Sequence, residues 1–154
     1  MKLLGRTHLL FSVILGLFYI DYFGFEGSKI LFYLTLAVGS LLPDIDHPKS
    51  ILGRKIWPVS SVINFLFGHR SIMHSLFFIF AVCLLVYFLW PLYFISAFIG
   101  LLSHLFLDVL SKEGLNLLYP LRIFYVKGFI KVGGLAENLF FLCLIILTIL
   151  KIFA

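Results

Sequence analysis

Long apolar segments alternate with short polar stretches along the chain. The first apolar segment runs from Leu9 to Ile20 and the second from Ile30 to Pro43, and each is followed by an aspartate. At a rise of about 1.5 Å per residue, segments of this length cross a bilayer only if the flanking polar residues lie at headgroup depth. The pattern predicts two helical spans whose polar ends lie at the level of the lipid phosphates.

A third apolar segment, from Ser71 to Ser103, carries no formal charge except on His74 when that residue is protonated. The segment is too long for one ordinary span and about long enough for two. We place the predicted hairpin tip at Trp90 and Pro91, because proline interrupts a helix and tryptophan favours the membrane interface.

A last span is predicted from Glu137 to Phe153, so the expected fold class is an all-α, polytopic membrane helical bundle of about five transmembrane helices. Composition agrees with this class, since 62% of the residues are hydrophobic and 12% are charged, whereas soluble domains have about 45–50% apolar residues. The chain is expected to form a single membrane-embedded domain over residues 1–154. Membrane lipids are its expected partners, and its oligomeric state stays open.

Two basic loops, residues 46–70 and 111–136, orient the predicted bundle. Each loop contains four lysine or arginine residues, and with Lys2 and Arg6 they make ten of the twelve basic residues. Cytoplasmic loops usually carry such an excess, so the N-terminus is predicted to be cytoplasmic, in the cell (inner) membrane. The loop after Ser111 is a candidate for an interfacial helix. The same bias explains the net charge of +5, and no nucleic-acid partner is expected.

The side chains best suited to bind a metal ion gather at the cytoplasmic ends of the predicted spans. They are His8, Asp44, Asp46, His47, His69, His74, His104 and Asp108. This set contains every histidine and three of the four aspartates, although the orientation rests on lysine and arginine alone. Ionisable groups close to lipid are energetically unfavourable and usually functional, so their convergence predicts a common site.

The spacing of these residues also suits metal binding. His104 and Asp108 are four residues apart on a predicted helix, so both side chains project from one face. In the segment PDIDH, Asp44, Asp46 and His47 offer three potential ligands within four residues. Imidazole and carboxylate ligands without thiolate favour zinc, with manganese or iron as alternatives.

Simpler interpretations exist for each residue alone. A single histidine at a helix end is more often an interfacial residue than a ligand, Asp44 alone would serve to end a helix, and Arg70 alone would anchor a span to headgroups. These interpretations do not explain the convergence of the whole set. Glu113 and Glu137 lie on the same predicted side and are weaker candidates for a further carboxylate ligand.

Four motifs in order, Thr7-His8, GSLLPDIDHPKS, GHRSIMHSL and GLLSHLFLDVLSKEGLNLLYP, resemble those of the YdjM-like family of inner-membrane proteins regarded as metal-dependent hydrolases. That family in turn resembles the all-helical class of zinc-dependent phospholipase C and P1 nuclease. The resemblance implies a cluster of metal ions held by histidine and aspartate. By motif, the core ligands are His8, Asp44, His69, His104 and Asp108, and the additional ligands are Asp46, His47 and His74.

These residues predict a membrane-bound metal-dependent hydrolase that cleaves a phosphoester of a lipid or lipid-linked substrate at the cytoplasmic face. Two or more divalent ions, zinc in the first place, are expected to activate a water molecule for attack on phosphorus. The predicted catalytic residues are Asp44, Asp46 and Arg70. Arg6, Lys49 and Arg70 are expected to bind the phosphate.

The alternative is a non-catalytic metal-binding membrane protein, such as a metal transporter, sensor or scaffold. A transport route needs polar groups near the middle of the membrane, where the predicted spans offer only scattered serine, threonine and tyrosine. A structural metal is usually closed by four protein ligands, and eight candidates exceed that number.

Overall fold

The structure, a computed structural model, describes residues 4–153, with Leu4 described by its backbone alone. Within this range the chain forms six α-helices: α1 (Leu4–Phe23), α2 (Lys29–Leu41), α3 (Trp57–Phe67), α4 (Leu76–Leu89), α5 (Phe94–Leu110) and α6 (Leu135–Phe153). Short 3-10 helices occupy Pro43–Asp46, Ile72–His74 and Pro91–Tyr93. Lys2, which entered the predicted topology, lies outside the described residues.

The fold is mostly helical, as predicted, with one short β-hairpin in addition. Among the described residues, Pro91–Leu110 and Leu135–Phe153 are the helical stretches that are long and apolar enough to cross a membrane by length and composition. Helices α2, α3 and α4 are apolar but shorter. The number of spans and their orientation therefore stay predictions.

Helix α3 lies inside the first basic stretch, which was predicted to be a loop. The helix contains Pro58 in its first turn, where a missing N–H is tolerated. It ends at Gly68, whose φ of 76° suits a residue without a side chain. Basic residues flank this stretch at both ends, so it was predicted to be a loop. Between them lies a mostly apolar segment of eleven residues, WPVSSVINFLF, which forms the helix.

The second basic stretch forms a β-hairpin, so the prediction of an interfacial helix after Ser111 is wrong. Strand β1 (Leu115–Asn116) pairs antiparallel with strand β2 (Tyr125–Val126). Gly114, with φ of 66°, precedes the first strand, and Pro120 lies in the connection. A positive φ and a proline each interrupt helical hydrogen bonding, which explains why no helix forms there.

Helices α2 and α5 pack so closely that glycine is required at the contact. A Cβ atom on Gly39 would lie 2.9 Å from the carbonyl oxygen of Ala97. One on Gly100 would lie 2.3 Å from the carbonyl oxygen of Leu36 and 2.9 Å from the backbone nitrogen of Ser40. This close approach brings the C-terminal end of α2 against the first half of α5.

The apolar core lies between α2, α4 and α5 and continues to the hairpin. Phe32, Leu36 and Leu101 are fully buried, and Leu115 of β1 packs on the end of α4. Much of the remaining surface consists of large exposed apolar side chains, as expected for a protein whose natural solvent includes lipid.

We expect Gly100→Ala to destabilise the protein, although alanine by itself favours a helix over glycine by about 1 kcal/mol. The added methyl group would meet backbone atoms, and overpacking typically costs about 1–3 kcal/mol. The measurement is the thermal unfolding midpoint in detergent. Gly16→Ala is the matched control, because its new methyl group would meet only side-chain atoms, the nearest on Leu36. A midpoint for Gly100→Ala at or above that of Gly16→Ala would contradict the close helix contact.

Candidate metal centre

Four chain segments meet at one end of the bundle and carry the predicted site. They are the second turn of α1, the 3-10 helix Pro43–Asp46 that follows α2, the segment from His69 to the 3-10 helix Ile72–His74, and the last turns of α5. The close packing of α2 on α5 aligns the two central segments. The histidines and aspartates that were predicted to converge do so in the folded chain.

The first group of potential ligands consists of His8, His104 and Asp108, which offer atoms within 4.8 Å of one another. All three residues are buried. The His8 and His104 rings are stacked with centroids 4.0 Å apart, and the Nδ1 atom of His104 donates to the carbonyl oxygen of Ser40 over 2.7 Å. That hydrogen bond leaves Nε2 of His104 to face Asp108 Oδ2 at 3.4 Å.

The second group consists of Asp44, His69 and His74, which also offer atoms within 4.8 Å of one another. Asp44 and His74 are buried, whereas His69 is exposed. None of these three residues belongs to a long helix. Their positions depend on the turns that follow α2 and precede α4.

The two groups adjoin each other. The Nε2 atoms of His74 and His104 are 3.2 Å apart, and Asp44 Oδ1 lies 3.9 Å from each of them. His74 Nε2 also lies 3.1 Å from Asp108 Oδ2. Six imidazole and carboxylate side chains thus form one continuous cluster, in which Asp44 is placed between the two groups.

Asp46 holds the second group in position from behind. Its fully buried carboxylate lies 2.8 Å from Nδ1 of His69 and 3.2 Å from Nδ1 of His74, and it accepts a hydrogen bond from the backbone N–H of Arg70 over 3.1 Å. These contacts leave the Nε2 atoms of both rings available as ligands. A carboxylate that binds the far nitrogen of a metal-binding histidine fixes the orientation of the ring.

The protonation of this cluster follows from its contacts. Burial by itself raises the pKa of Asp46, but the contacts with His69 and His74 outweigh it and lower the pKa to about 2. Asp46 therefore stays ionised at neutral pH and can hold the two imidazole rings.

Arg70 supplies part of the compensating positive charge. Its Nη2 donates to Asp108 Oδ1 over 2.6 Å, and its Nη1 donates to the hydroxyl oxygen of Ser111 over 2.6 Å. The residue has a left-handed backbone, with φ of 61°, and its side chain is largely buried. The structure therefore places Arg70 on a ligand carboxylate. Its predicted contact with the substrate phosphate stays a prediction.

The donor set fits divalent metal ions. The buried carboxylates adjoin imidazole nitrogens, and mixed imidazole and carboxylate donors suit zinc, manganese or iron. Among the described residues, the buried atoms His8 Nδ1, Ser60 Oγ and Arg70 Nε have no hydrogen-bond partner. Buried polar atoms are normally paired, so His8 Nδ1 is the member of this set that is suited to bind an ion, whereas the other two atoms are suited to bind water.

A cavity of about 710 Å³ opens onto the second group. Its lining includes Asp44 and His69 together with the cationic side chains of Arg6, Lys49 and Arg54. Arg6 and Lys49 were predicted to bind substrate, whereas Arg54 served only to predict the orientation of the chain in the membrane. Nothing in the sequence distinguishes Arg54 from the neighbouring Lys55. The Nε atom of Arg54 donates to the carbonyl oxygen of Ser50 in a local turn, and the other residues of the cavity wall come from distant parts of the chain.

A smaller cavity of about 40 Å³ adjoins the first group and is lined by His8, Asp108 and Glu137, among others. Glu137 is buried and accepts hydrogen bonds from the Thr7 hydroxyl over 3.3 Å and from the backbone N–H of Gly133 over 2.5 Å. It therefore joins the start of α6 to α1 beside the cluster. Glu113 is instead half exposed, with its carboxylate 3.5 Å from Arg70.

Of the eight predicted ligands, six belong to the two groups and two lie beside them. Asp46 contacts the histidines from behind, and the His47 ring stacks on His69 with centroids 4.7 Å apart. His47 also lines the larger cavity. The geometry supports a role for Asp46 and His47 around the ligands, and direct metal binding by them stays a prediction.

The family model described as "YdjM inner membrane protein" matches residues 1–153 of the chain. The chain belongs to this family. It is 36% identical over 142 residues to the "Uncharacterized protein YvsG" of Bacillus subtilis (strain 168), covering 88% of this chain and 85% of that protein. It is 44% identical over 89 residues to the "Inner membrane protein YdjM" of Escherichia coli (strain K12) and of Shigella flexneri, covering 53% of this chain and 45% of each relative. No solved structure matches the chain.

Membership in the YdjM family confirms the resemblance drawn from the motifs and identifies the chain as a membrane protein. The names of the relatives state no activity. The further likeness to zinc-dependent phospholipase C and P1 nuclease stays a prediction. What the fold adds is a set of buried histidine and aspartate groups that can bind metal.

We expect the purified protein to bind at least one metal ion per group and His104→Ala to lose bound metal, because His104 contacts both groups. The measurement is elemental mass spectrometry after loading with zinc and removal of free ions. His47→Ala is the matched control, since His47 lies at the same end of the bundle but outside both groups. Equal metal content in His104→Ala and wild type would contradict the assignment of the cluster, and loss of metal in His47→Ala would make His47 a ligand.

We expect Asp46→Asn to weaken metal binding by about 10- to 100-fold while leaving the number of bound ions unchanged at saturation. The amide retains the shape of the side chain but loses the charge that holds His69 and His74. The measurement is a competition titration with a zinc indicator in detergent. A lower metal content at saturating zinc would show instead that Asp46 is itself a ligand.

Proposed function

We propose that the protein is a membrane-bound metal-dependent hydrolase, which cleaves a phosphoester of a lipid or lipid-linked substrate at the cytoplasmic membrane face. One observation carries the proposal: two groups of histidine and aspartate adjoin each other, and the second of them opens onto a cavity lined by basic side chains. A metal cluster beside a cationic cavity suits the chemistry of a phosphate ester, which has to be bound, neutralised and attacked.

The six side chains of the two groups would hold the metal ions, with zinc as the first choice and manganese or iron as alternatives. When bound, such ions supply Lewis-acid stabilisation of the phosphoryl group and activation of water. The protein contributes the positions of its donors. The carbonyl oxygen of Ser40 holds Nδ1 of His104, and the carboxylate of Asp46 holds the Nδ1 atoms of His69 and His74.

The remaining residues have separate proposed roles. Asp44 lies between both groups and also lines the larger cavity, so it is the best-placed carboxylate to bridge the groups or to accept a proton from water. Arg6, Lys49 and Arg54 would neutralise the nonbridging oxygens of the phosphate. Arg70 would act through Asp108, whose carboxylate it holds by a hydrogen bond.

The substrate class follows from the proposed depth of the site. The cluster lies at the polar ends of apolar helices, where the phosphates of membrane lipids are found. The basic loops that frame it favour the cytoplasmic side. A lipid phosphate could therefore enter the cavity without leaving the membrane surface.

A non-catalytic metal-binding protein is the second candidate. In a transporter, polar groups along the interior are expected to face the ion path. The buried hydroxyls of Ser12, Ser40, Ser96 and Ser103 instead donate to carbonyl oxygens of their own helices. A scaffold with one closed structural metal would need four ligands, and the cluster contains six. Both observations favour the hydrolase.

We expect zinc- or manganese-loaded protein in nanodiscs to release phosphate or a phosphorylated headgroup from a panel of phosphatidic acid, polyprenyl phosphates and phospholipids. Asp44→Asn should lower the rate by about 100-fold or more, as expected for loss of a general base or metal bridge. Asp21→Asn is the matched control, since Asp21 lies at the other end of α1 and pairs with Lys151. Full metal loading without turnover of any member of the panel would favour the non-catalytic alternative.

We expect Arg54→Ala to raise KM for the active lipid by about tenfold or more, the usual effect of losing a charge-assisted hydrogen bond. Lys55→Ala is the matched control, because this neighbouring cation does not line the cavity. The measurement is initial rate against the mole fraction of substrate lipid. An equal effect of the two substitutions would indicate general attraction to the membrane surface instead of binding in the cavity.

A further inference from the structure

Helix α3 exposes its apolar side chains and turns its polar side chains inwards. The exposed residues are Trp57, Val59, Val62, Phe65, Leu66 and Phe67. Phe65 is 88% exposed, the largest value in this set. In a protein surrounded by water the opposite arrangement is expected, because an amphipathic helix buries its apolar face.

The inward face of α3 belongs to the metal centre. Ser60 is fully buried, and the Nδ2 atom of Asn64 donates to the carbonyl oxygen of Asp46 over 2.8 Å. Asn64 also lines the larger cavity. Asn64 therefore faces the cavity, whereas the next residue, Phe65, faces the outside of the protein. The helix is a single-layer wall of the site.

The charges around α3 indicate what covers its outer face. Arg54 and Lys55 directly precede the helix, and Trp57 begins it. Basic residues next to an aromatic residue and an apolar face are typical of helices that lie in a membrane interface, where the cations meet anionic headgroups.

We propose that α3 lies in the membrane interface, with its apolar face in the lipid and with Lys55 at the headgroups, as the wall between the cavity and the bilayer. The contact of α3 with the 3-10 helix Pro43–Asp46 holds this wall at the polar end of α2. A lipid headgroup beside α3 is then separated from the cavity by one helix. This inference does not depend on hydrolase activity.

Tryptophan fluorescence tests the proposal, because the chain contains only two tryptophans, Trp57 and Trp90. In a Trp57→Phe, Trp90→Phe background, Phe65→Trp provides a single reporter on the outer face of α3. Lys49→Trp in the same background provides the matched control on the cavity side of the site. Both proteins are reconstituted into vesicles that contain phosphatidylglycerol and brominated phosphatidylcholine.

We expect the Phe65→Trp reporter to lose most of its fluorescence to brominated lipid and little to aqueous iodide, and the Lys49→Trp reporter to show the reverse. Quenching of the Phe65→Trp reporter by iodide alone would overturn the proposal. Protection from both quenchers, reversed when the protein is diluted with lipid, would also overturn it in favour of a second copy. The single substitution Trp90→Phe repeats the test with the native Trp57 if the reporter variants do not fold.

Discussion

The burial of three aspartates at one end of the bundle is the constraint on which the rest of the site depends. Asp44, Asp46 and Asp108 lie almost out of contact with solvent, where an uncompensated carboxylate is strongly destabilising. Compensation comes from Arg70 and from histidines that face these carboxylates on several sides. A cluster that gathers this much negative charge is stable only with cations, and divalent ions satisfy the same requirement in fewer contacts.

Helix packing and ligand geometry are linked through the α2–α5 contact. Gly39 and Gly100 allow the backbones of the two helices to approach closely, and this approach places the Ser40 carbonyl within hydrogen-bond distance of His104. His104 in turn adjoins His74, which Asp46 orients. Glycines within the helix pair therefore contribute to the positions of imidazole nitrogens in the centre, although they contact no ligand directly.

The site also depends on the lipid-facing parts of the molecule. Helix α3 is one wall of the cavity, and Glu137 attaches the start of α6 to α1 beside the first group. Both helices are almost entirely apolar on their outer surfaces. A centre that is polar inside and enclosed by apolar helices would present reactive groups to a headgroup at the membrane surface while the lipid chains stay in the bilayer.

The sequence by itself determined the helical class, the family and the set of residues that converge, because hydrophobic segment length and the position of polar residues at segment ends depend on local composition. It did not reveal α3, since basic residues on both sides made the stretch look like a loop. The motifs ranked Asp44 above Asp46 as a ligand but left open which of the two has the catalytic role, and nothing in the sequence separated Arg54 from Lys55. Only the tertiary structure decided that Asp44 lies between the two groups of potential ligands and that Arg54, not Lys55, lines the cavity, because both the cluster and the cavity are formed by residues far apart in the chain.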